Sequence, residues 1–496
     1  MKQTTTIDIS EFRKDRPLLI LFSAPRHPTF RLITLVFCLA GATHLGLADA
    51  WQASWLPGNI LFGLGLLLLL FRPGALGFGL VALGKLLPLL FARDHLVQSL
   101  LMLLFGLGGM IFIAFDAYWR SWPKRTPYVE TSYGRITVYL ESFFATLKFL
   151  TITTYGLAAF HKVNRDFFDP EVSCANHGLN RVLDYYGIAP LEFGSGTLYL
   201  ALFVIALEAS IALLYLLGRR KEALIAALVF HIPLTLTMAP AFAFVMLIGH
   251  AAFLRPRDLK SIKETIWNRG FLVFSVAITL TTISVLFEQK MHDSTMPPRE
   301  LLLWALLLLL LFSPAFPKVT RFLEDSPFPV SRRSPSWPSY LALFFGAAFL
   351  VQGLLPYTGL RFQHTGAMVS NLRIDEGCWN HLLVPESFRI EDRYIRVDEV
   401  YFGAPGRIPR YEGIVRDQLW NGPMVRQMQT NWCRRETRPF YLAGTFRNRS
   451  FEIEDLCAED LPWPFYDDGL FGRELFPEHL LFQRNLHREC PQRCMH

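Results

Sequence analysis

The stretch LAAFHKVNRDFFDPEVSC, residues 157–174, joins an apolar run to a dense cluster of ionisable side chains. His161 and Lys162 follow the run directly, and Arg165 and Asp166 come within four positions of the lysine. A lysine at the edge of an apolar helix usually extends its ammonium group to the lipid head groups. If burial keeps the amine uncharged, the same lysine can instead act as a base. The surrounding sequence must distinguish these two roles.

Composition places the whole chain in a membrane. Of 496 residues, 52% are hydrophobic and only 18% are charged. Unbroken apolar runs such as 59–71, 301–312 and 340–357 can be solvated only by lipid or by one another. The net charge of +7 gathers in short loops between these runs, as in proteins whose loops set membrane orientation, and argues against a nucleic-acid partner. We therefore predict an α-helical polytopic membrane bundle.

The apolar runs predict nine to eleven membrane segments, because several are shorter than the roughly 20 residues a full crossing needs. The candidate segments are 31–48, 58–71, 74–92, 96–116, 137–160, 197–217, 222–238, 240–254, 271–288, 300–316 and 338–356.

The distribution of basic residues predicts the orientation of the bundle. The basic segments are 13–31, 120–135, 219–221, 255–269 and 318–333. All fall on one side of the predicted topology, which is therefore the cytoplasmic side. The prediction gives a cytoplasmic segment (1–30), a transmembrane domain (31–357) and an extracytoplasmic domain (358–496).

The predicted extracytoplasmic domain is rich in strands and cysteines. Long apolar runs end at 357, and β-type segments follow at 393–403 and 438–456. Cys38 lies in a span, whereas the other six cysteines lie on the predicted outer side, where three disulfides can form. The outer cysteines are Cys174, Cys378, Cys433, Cys457, Cys490 and Cys494. His487 and His496 flank the last two, but this spacing matches no standard zinc motif, so we predict disulfides and no metal site.

Ionisable residues inside spans usually face the interior of a bundle. Glu141, Lys148 and Lys162 lie near one face of one predicted helix, and Glu208 interrupts another apolar run. A structural ion pair of Lys148 with Glu208 or Glu141 is the simplest expectation. His231, within LVFHIPLTLTMAP, is by itself most simply a hydrogen-bonded core residue, and so are His44 and His250.

The stretch AAFHKVNRDFFDPEVSC resembles the signature of the HTTM family, which includes the vitamin K-dependent gamma-carboxylases. A helix end of small residues is followed by a basic pair, an apolar residue, Asn or Asp, and then Asp with an aromatic residue. Here the basic pair is His161-Lys162, and Asn164, Asp166 and Phe167 fill the later positions. The second basic position is the family's catalytic base, so the resemblance assigns that role to Lys162.

Further similarity follows in the same chain order, from about residue 26 to 357. DHLVQSLLMLLFGLGGMIFIAFDAYWRSW resembles the family's His-containing span and points to His95, and more loosely to Asp116, Tyr118 and Trp119. HIPLTLTMAPAFAFVML points to His231, and VQGLLPYTGL to Gln352, Pro356 and Tyr357. The chain departs from the family in having His161 at the first basic position. Its outer domain is also shorter than in the animal enzymes, which suggests a bacterial inner-membrane protein.

The resemblance implies a quinol-dependent carboxylase. An uncharged Lys162 would deprotonate reduced vitamin K or another hydroquinone, whose reaction with O2 yields a base able to remove a γ-proton from glutamate, and CO2 then adds. His95 and His231 are the further catalytic candidates. His161, Arg165, Asp166 and Tyr357 are the candidate quinone-binding residues. The partners implied are membrane lipid, the quinone and a glutamate-containing protein or peptide.

Two other functions are consistent with the same residues. One is a quinol-linked membrane oxidoreductase that shares the base but does not carboxylate. The other is a non-catalytic scaffold or lipid-binding protein in which Lys162 serves as an anchor.

Overall fold

The computed structural model describes residues 21–45, 56–89, 97–122, 126–185, 188–237, 240–287, 296–313, 337–359 and, with short gaps, 365–458 and 486–494. Two residues singled out above, His95 and His496, lie outside these ranges. Within the described ranges the chain forms fourteen helices and a small sheet region.

The helices mostly pack into one bundle. In chain order they are α1 (Pro28–Leu45), α2 (Leu56–Phe71), α3 (Ala75–Leu87), α4 (Val97–Arg120), α5 (Val138–His161), α6 (Arg165–Phe168), α7 (Cys174–Tyr185), α8 (Thr197–Leu216), α9 (Arg220–Thr237), α10 (Pro240–Ala251), α11 (Pro256–Phe287), α12 (Met296–Phe312), α13 (Trp337–Leu354) and α14 (Pro409–Arg416).

Six of the described helices are long and apolar enough to cross a membrane. They are Pro28–Leu45, Gln98–Arg120, Val138–His161, Gly194–Leu216, Pro256–Ile283 and Trp337–Thr358. Shorter apolar helices pack among them, including Leu56–Phe71 and Ala75–Leu87. The expectation of a helical membrane protein with some segments too short to cross alone is thus confirmed at the level of helix length and composition.

Close backbone packing joins the short helices α2 and α3. A Cβ atom added at Gly84 would lie 2.5 Å from the backbone nitrogen of Phe62, and one at Gly65 would lie 2.7 Å from that of Val81. Such distances leave no room for any side chain. Small residues that let two helices approach are a common basis of packing in lipid, where apolar burial provides little drive.

Helix α5 positions the candidate site, and it packs against α4, α8, α10 and α13. The Thr137 side chain caps its start by accepting a hydrogen bond from the Leu140 backbone nitrogen at 3.1 Å. Lys162 forms its C-cap. Because a helix rises 1.5 Å per residue, the two ends of this 24-residue helix are about 36 Å apart.

The strands lie mostly in the C-terminal region, as predicted. A hairpin of β1 (Tyr128–Thr131) and β2 (Gly134–Thr137) precedes α5. The other strands are β3 (Ile395–Phe402), β4 (Gln418–Trp420), β5 (Phe440–Phe446), β6 (Arg449–Ile453) and β7 (Leu486–His487). They form one antiparallel sheet in the order β6-β5-β3-β4-β7, over an apolar core that includes Val397, Phe440 and Leu442.

The six cysteines predicted to lie outside form three disulfides. The pairs are Cys174–Cys494, Cys378–Cys490 and Cys433–Cys457. Cys490 and Cys494 belong to two different disulfides, so neither thiol can serve as a metal ligand beside His487. The Cys174–Cys494 bond joins the start of α7 to the end of the chain.

Candidate functional site

A buried ion pair lies at the C-terminal end of α5. Lys162 Nζ lies 2.9 Å from Glu208 Oε2 and 3.0 Å from Glu208 Oε1, and it also lies 3.3 Å from the Ala158 carbonyl oxygen. Both side chains are only 5% exposed. The carboxylate therefore faces the ammonium group with both oxygens in an almost completely buried position, and the geometry directs the lysine into the bundle.

The contacts of this pair test two expectations about the lysines of α5. Lys162 does not extend to the surface, so the interpretation as a head-group anchor is wrong. Glu208 pairs with Lys162 and not with Lys148. The Lys148 ammonium instead lies over the Tyr133 ring, 4.7 Å from its centroid, in a cation–π contact.

His161, which precedes the lysine, is held by two hydrogen bonds. Its Nε2 lies 3.1 Å from the Thr365 carbonyl oxygen and its Nδ1 lies 2.8 Å from the Tyr357 hydroxyl. Because a carbonyl oxygen can only accept, Nε2 carries a hydrogen; in a neutral ring Nδ1 then accepts from Tyr357. The side chain is completely buried. The structure thus brings His161 and Tyr357 together next to Lys162.

Asn164 fixes the end of α5 to the segment 365–390. Its Nδ2 donates to the His161 carbonyl at 2.8 Å and to the Ser370 carbonyl at 2.5 Å, while its Oδ1 accepts from the Phe167 backbone nitrogen. The last of these bonds caps the single turn α6. Asn164 therefore connects α5, α6 and the C-terminal region at one point, and no apolar residue could replace it.

His381 also packs against the C-terminal end of α5. Its Nε2 lies 3.1 Å from the Phe160 carbonyl oxygen, and its ring packs against Tyr357 with centroids 4.8 Å apart. Burial lowers the pKa of His381, although the bond to the Phe160 carbonyl partly opposes this effect. The ring is therefore neutral at pH 7, and the neutral groups His381, Tyr357 and His161 surround the carbonyl end of the helix.

A second polar cluster lies seven residues away from the Lys162–Glu208 pair along both α5 and α8. Tyr155 precedes Lys162 by seven residues and Tyr215 follows Glu208 by seven. The Tyr155 hydroxyl lies 2.6 Å from His231 Nε2 and 2.9 Å from His250 Nε2, and the Tyr215 hydroxyl lies 2.6 Å from His250 Nδ1. All four side chains are at most 2% exposed. We call them the Tyr–His chain.

The Tyr–His chain can hold its protons in two equivalent orders. Each hydroxyl and each neutral imidazole has one donor and one acceptor along the chain. All donors can point from Tyr215 towards His231, or all can point the other way, and His231 Nδ1 carries the hydrogen in the first case only. No partner for His231 Nδ1 occurs among the described residues. Reversal of the whole chain therefore requires one proton to enter at one end, His231 or Tyr215, and another to leave at the other end.

The remaining predicted residues divide into three groups. Arg165 is exposed, so the structure does not bring it to the buried pair, whereas Asp166 is buried in α6. Asp116 accepts from Arg120 Nε at 2.7 Å and from the Thr137 hydroxyl at 2.5 Å, so this acid and the neighbouring aromatic residues lie at the opposite end of α5. His95 lies outside the described residues.

Five members of the site are not among the predicted site residues: Glu208, expected beside Lys148 and not paired with Lys162, and Tyr155, Tyr215, His250 and His381. The expectation of a hydrogen-bonded core histidine at His250 is confirmed. The heptad spacings of Tyr155 to Lys162 and of Glu208 to Tyr215 were visible in the sequence. They indicate two polar layers only once α5 and α8 are known to pack together.

Comparison with known proteins finds no matching family, no similar curated protein and no similar solved structure. The functional argument for this chain therefore depends on the residues and geometry described above.

Proposed function

We propose that this chain is an HTTM-type membrane enzyme, a quinol-dependent carboxylase that resembles the gamma-glutamyl carboxylases. Lys162 is its base. The observation that carries the proposal is the burial of Lys162 against Glu208 beside a hydrogen-bonded His161–Tyr357 pair. The motif resemblance supplies the reaction class, and the geometry supports it by directing Lys162 into the bundle beside these groups.

The acid–base logic of the pair is simple. Lys162 and Glu208 together hold one proton that both can bind. With the proton on Nζ the pair is an ammonium carboxylate; with the proton on a Glu208 oxygen it is an amine and a carboxylic acid, and the pair has no net charge in either form. The proposed reaction requires the neutral form of the pair. In that form Nζ can accept a proton from a hydroquinone hydroxyl, and Glu208 holds the proton released earlier.

The residues present fit a hydroquinone. Its hydroxyl groups need hydrogen-bond partners in an otherwise apolar setting, and His231 Nδ1 is a buried atom with no partner among the described residues. Tyr357 and Phe160 offer aromatic faces beside Lys162. A bound hydroquinone would supply, through its reaction with O2, a basicity that side chains lack, and it would leave as the epoxide. This chain's residues orient it, exclude water and move its protons.

Two features support the proposed orientation, with the N-terminus in the cytoplasm of a bacterial cell and the C-terminal domain outside the inner membrane. The three disulfides all lie in residues 174 and beyond, and disulfides persist mainly in oxidising compartments. In the predicted topology the basic loops lie on the other side.

The proposal is tested with purified protein, reduced vitamin K, labelled bicarbonate and a short synthetic glutamate peptide. We expect wild-type protein to form both the epoxide and acid-stable label, and Lys162→Met to form neither. Lys148→Met is the matched control, because it removes another lysine from the same helix. Epoxide without label would instead identify a quinol-linked oxidoreductase. If wild type and Lys162→Met are equally inactive with several quinols, both enzyme functions are wrong.

One observation favours a non-catalytic scaffold as the second candidate. Lys162 Nζ makes short contacts with both carboxylate oxygens of Glu208, as in ion pairs that only fix the positions of helices. Replacement of both residues by methionine separates the candidates, because a scaffold would lose its packing and an enzyme only its activity.

A further inference from the structure

A cleft lined by arginine side chains opens at the end of α5 opposite to Lys162. It has a volume of about 840 Å³. Four arginines line it: Arg26, Arg31, Arg72 and Arg120. They come from the segment before α1, from α1, from the end of α2 and from the end of α4, so tertiary folding, and not a run of basic residues, brings them together.

The charges of this arginine cleft are poorly balanced. Arg120 is held by Asp116, and it also donates to the carbonyl oxygens of Ala24 and Ser23 at 3.2 and 3.4 Å. These bonds fix the segment before α1 as one wall. No carboxylate lines the cleft among the described residues. Arg26, Arg31 and Arg72 are exposed there, so the cleft presents three cations to an incoming ligand.

Apolar side chains form part of the cleft, beside the polar residues Ser23, Thr34 and Tyr128. Its lower wall includes Leu35, Leu70 and Phe71, which are 58%, 54% and 80% exposed. Side chains of this kind on a membrane helix lie against acyl chains. A ligand for the whole cleft must therefore carry negative charge at one end and hydrocarbon at the other.

We propose that the arginine cleft binds an anionic phospholipid. Arginines bind phosphate oxygens through paired N–H groups, and basic pockets between membrane helices hold acidic lipid head groups. The phosphate lies among Arg31, Arg72 and Arg26, and the acyl chains follow Leu35 and Phe71 into the bilayer. This site is about 36 Å from Lys162 along α5, and it is independent of the proposed enzymatic function.

The experiment measures lipid retention by the full chain purified in a neutral detergent, using native mass spectrometry. Phosphatidylglycerol and phosphatidylcholine with identical acyl chains are titrated separately. We expect selective retention of phosphatidylglycerol, and we expect Arg31→Gln/Arg72→Gln to weaken it about 25-fold, since each arginine near a lipid surface contributes about fivefold. Arg31→Lys/Arg72→Lys keeps the charge and should bind with intermediate affinity.

Lys260→Gln/Lys263→Gln is the matched control. It removes two exposed charges outside the cleft, one of them 79% exposed, and should leave retention unchanged. Equal retention by wild type and Arg31→Gln/Arg72→Gln, or an equal loss in the control, would overturn the proposal. Displacement of the lipid by millimolar glycerol phosphate would overturn it too, because a phosphate without chains would then suffice.

Discussion

Two groups of buried charges in this bundle are built in different ways. Lys162 and Glu208 form an isolated pair of one cation and one anion between α5 and α8. At the turns that join α8 to α9 and α10 to α11, two arginines share one aspartate: Arg220 and Arg255 both lie 3.3 Å from Asp258 Oδ2. We call this second group the arginine–aspartate cluster.

The two groups differ in whether a proton can move from the cation to the anion. Arginine stays charged in any protein environment, and here Arg220 also donates to the Phe253 carbonyl while Asp258 caps the Arg255 backbone nitrogen. These bonds fix the two turns. Lysine and glutamate can exchange a proton and become neutral together. A buried Lys–Glu pair is therefore suited to chemistry, and a buried Arg–Asp cluster to structure.

The largest expected effect is on activity. Lys162→Met should reduce turnover in the carboxylation assay by about 10²- to 10⁴-fold, the usual contribution of a general base. Lys148→Met should retain turnover, because its ammonium lies over the rings of Tyr133 and Phe253 and not at Glu208. Steady-state rates normalised to folded protein provide the measurement. Similar rates for the two variants would remove the distinction between the lysines.

The next effect is on stability. Asp258→Ala leaves the guanidinium groups of Arg220 and Arg255 buried without their shared anion, and we expect a loss of about 3–5 kcal/mol in the free energy of unfolding. Glu222→Ala is the control, because it breaks the half-exposed Arg219–Glu222 pair and should cost less than about 1 kcal/mol. Chemical unfolding in detergent measures both. Equal losses would show that the cluster is not structural.

Removal of the whole Lys162–Glu208 pair gives the sharpest contrast with the cluster. Lys162→Met/Glu208→Met eliminates both charges and preserves volume, so stability should be unchanged or higher by about 1–4 kcal/mol. Activity should be lost. A destabilisation as large as that of Asp258→Ala would instead favour the scaffold interpretation over the enzyme.

The two charged groups also show what sequence could and could not predict. Apolar runs predicted the bundle, and β-type segments with cysteines predicted the C-terminal sheet and disulfides, because these depend on local pattern and composition. Lys162 stood out through a contiguous motif. Its partner Glu208 is 46 residues away, and the choice between Lys148 and Lys162 depends on the rotation and depth of α8 against α5. Only packing sets those quantities.

The uncharged Tyr–His chain gives a prediction with a smaller effect on stability. Tyr155 bonds both His231 and His250, whereas Tyr215 bonds only His250. Loss of a hydroxyl leaves each buried partner unsatisfied at a cost of about 1–3 kcal/mol. Tyr155→Phe should therefore lower the free energy of unfolding about twice as much as Tyr215→Phe. Equal losses would mean that the Tyr–His chain does not act as a connected unit.

The smallest expected effect is the pH response of His381, which packs at the end of α5 beside Lys162. Burial lowers the pKa of His381 in the folded protein, so near pH 6.5 the unfolded chain binds a proton that the folded chain does not. The stability from this group is fully present above pH 6.5 and declines as the pH falls below it. His381→Gln should lack this part of the pH dependence.

Unfolding of wild type and His381→Gln, followed from pH 7.5 to 5.5, isolates that part of the response. His177, whose pKa burial also lowers, is present in both proteins and cancels in the difference. The arginine–aspartate cluster cannot contribute over this range, because its arginines stay charged. Parallel pH profiles for the two proteins would show that His381 is accessible to water, and that the end of α5 beside Lys162 is less dry than its burial implies.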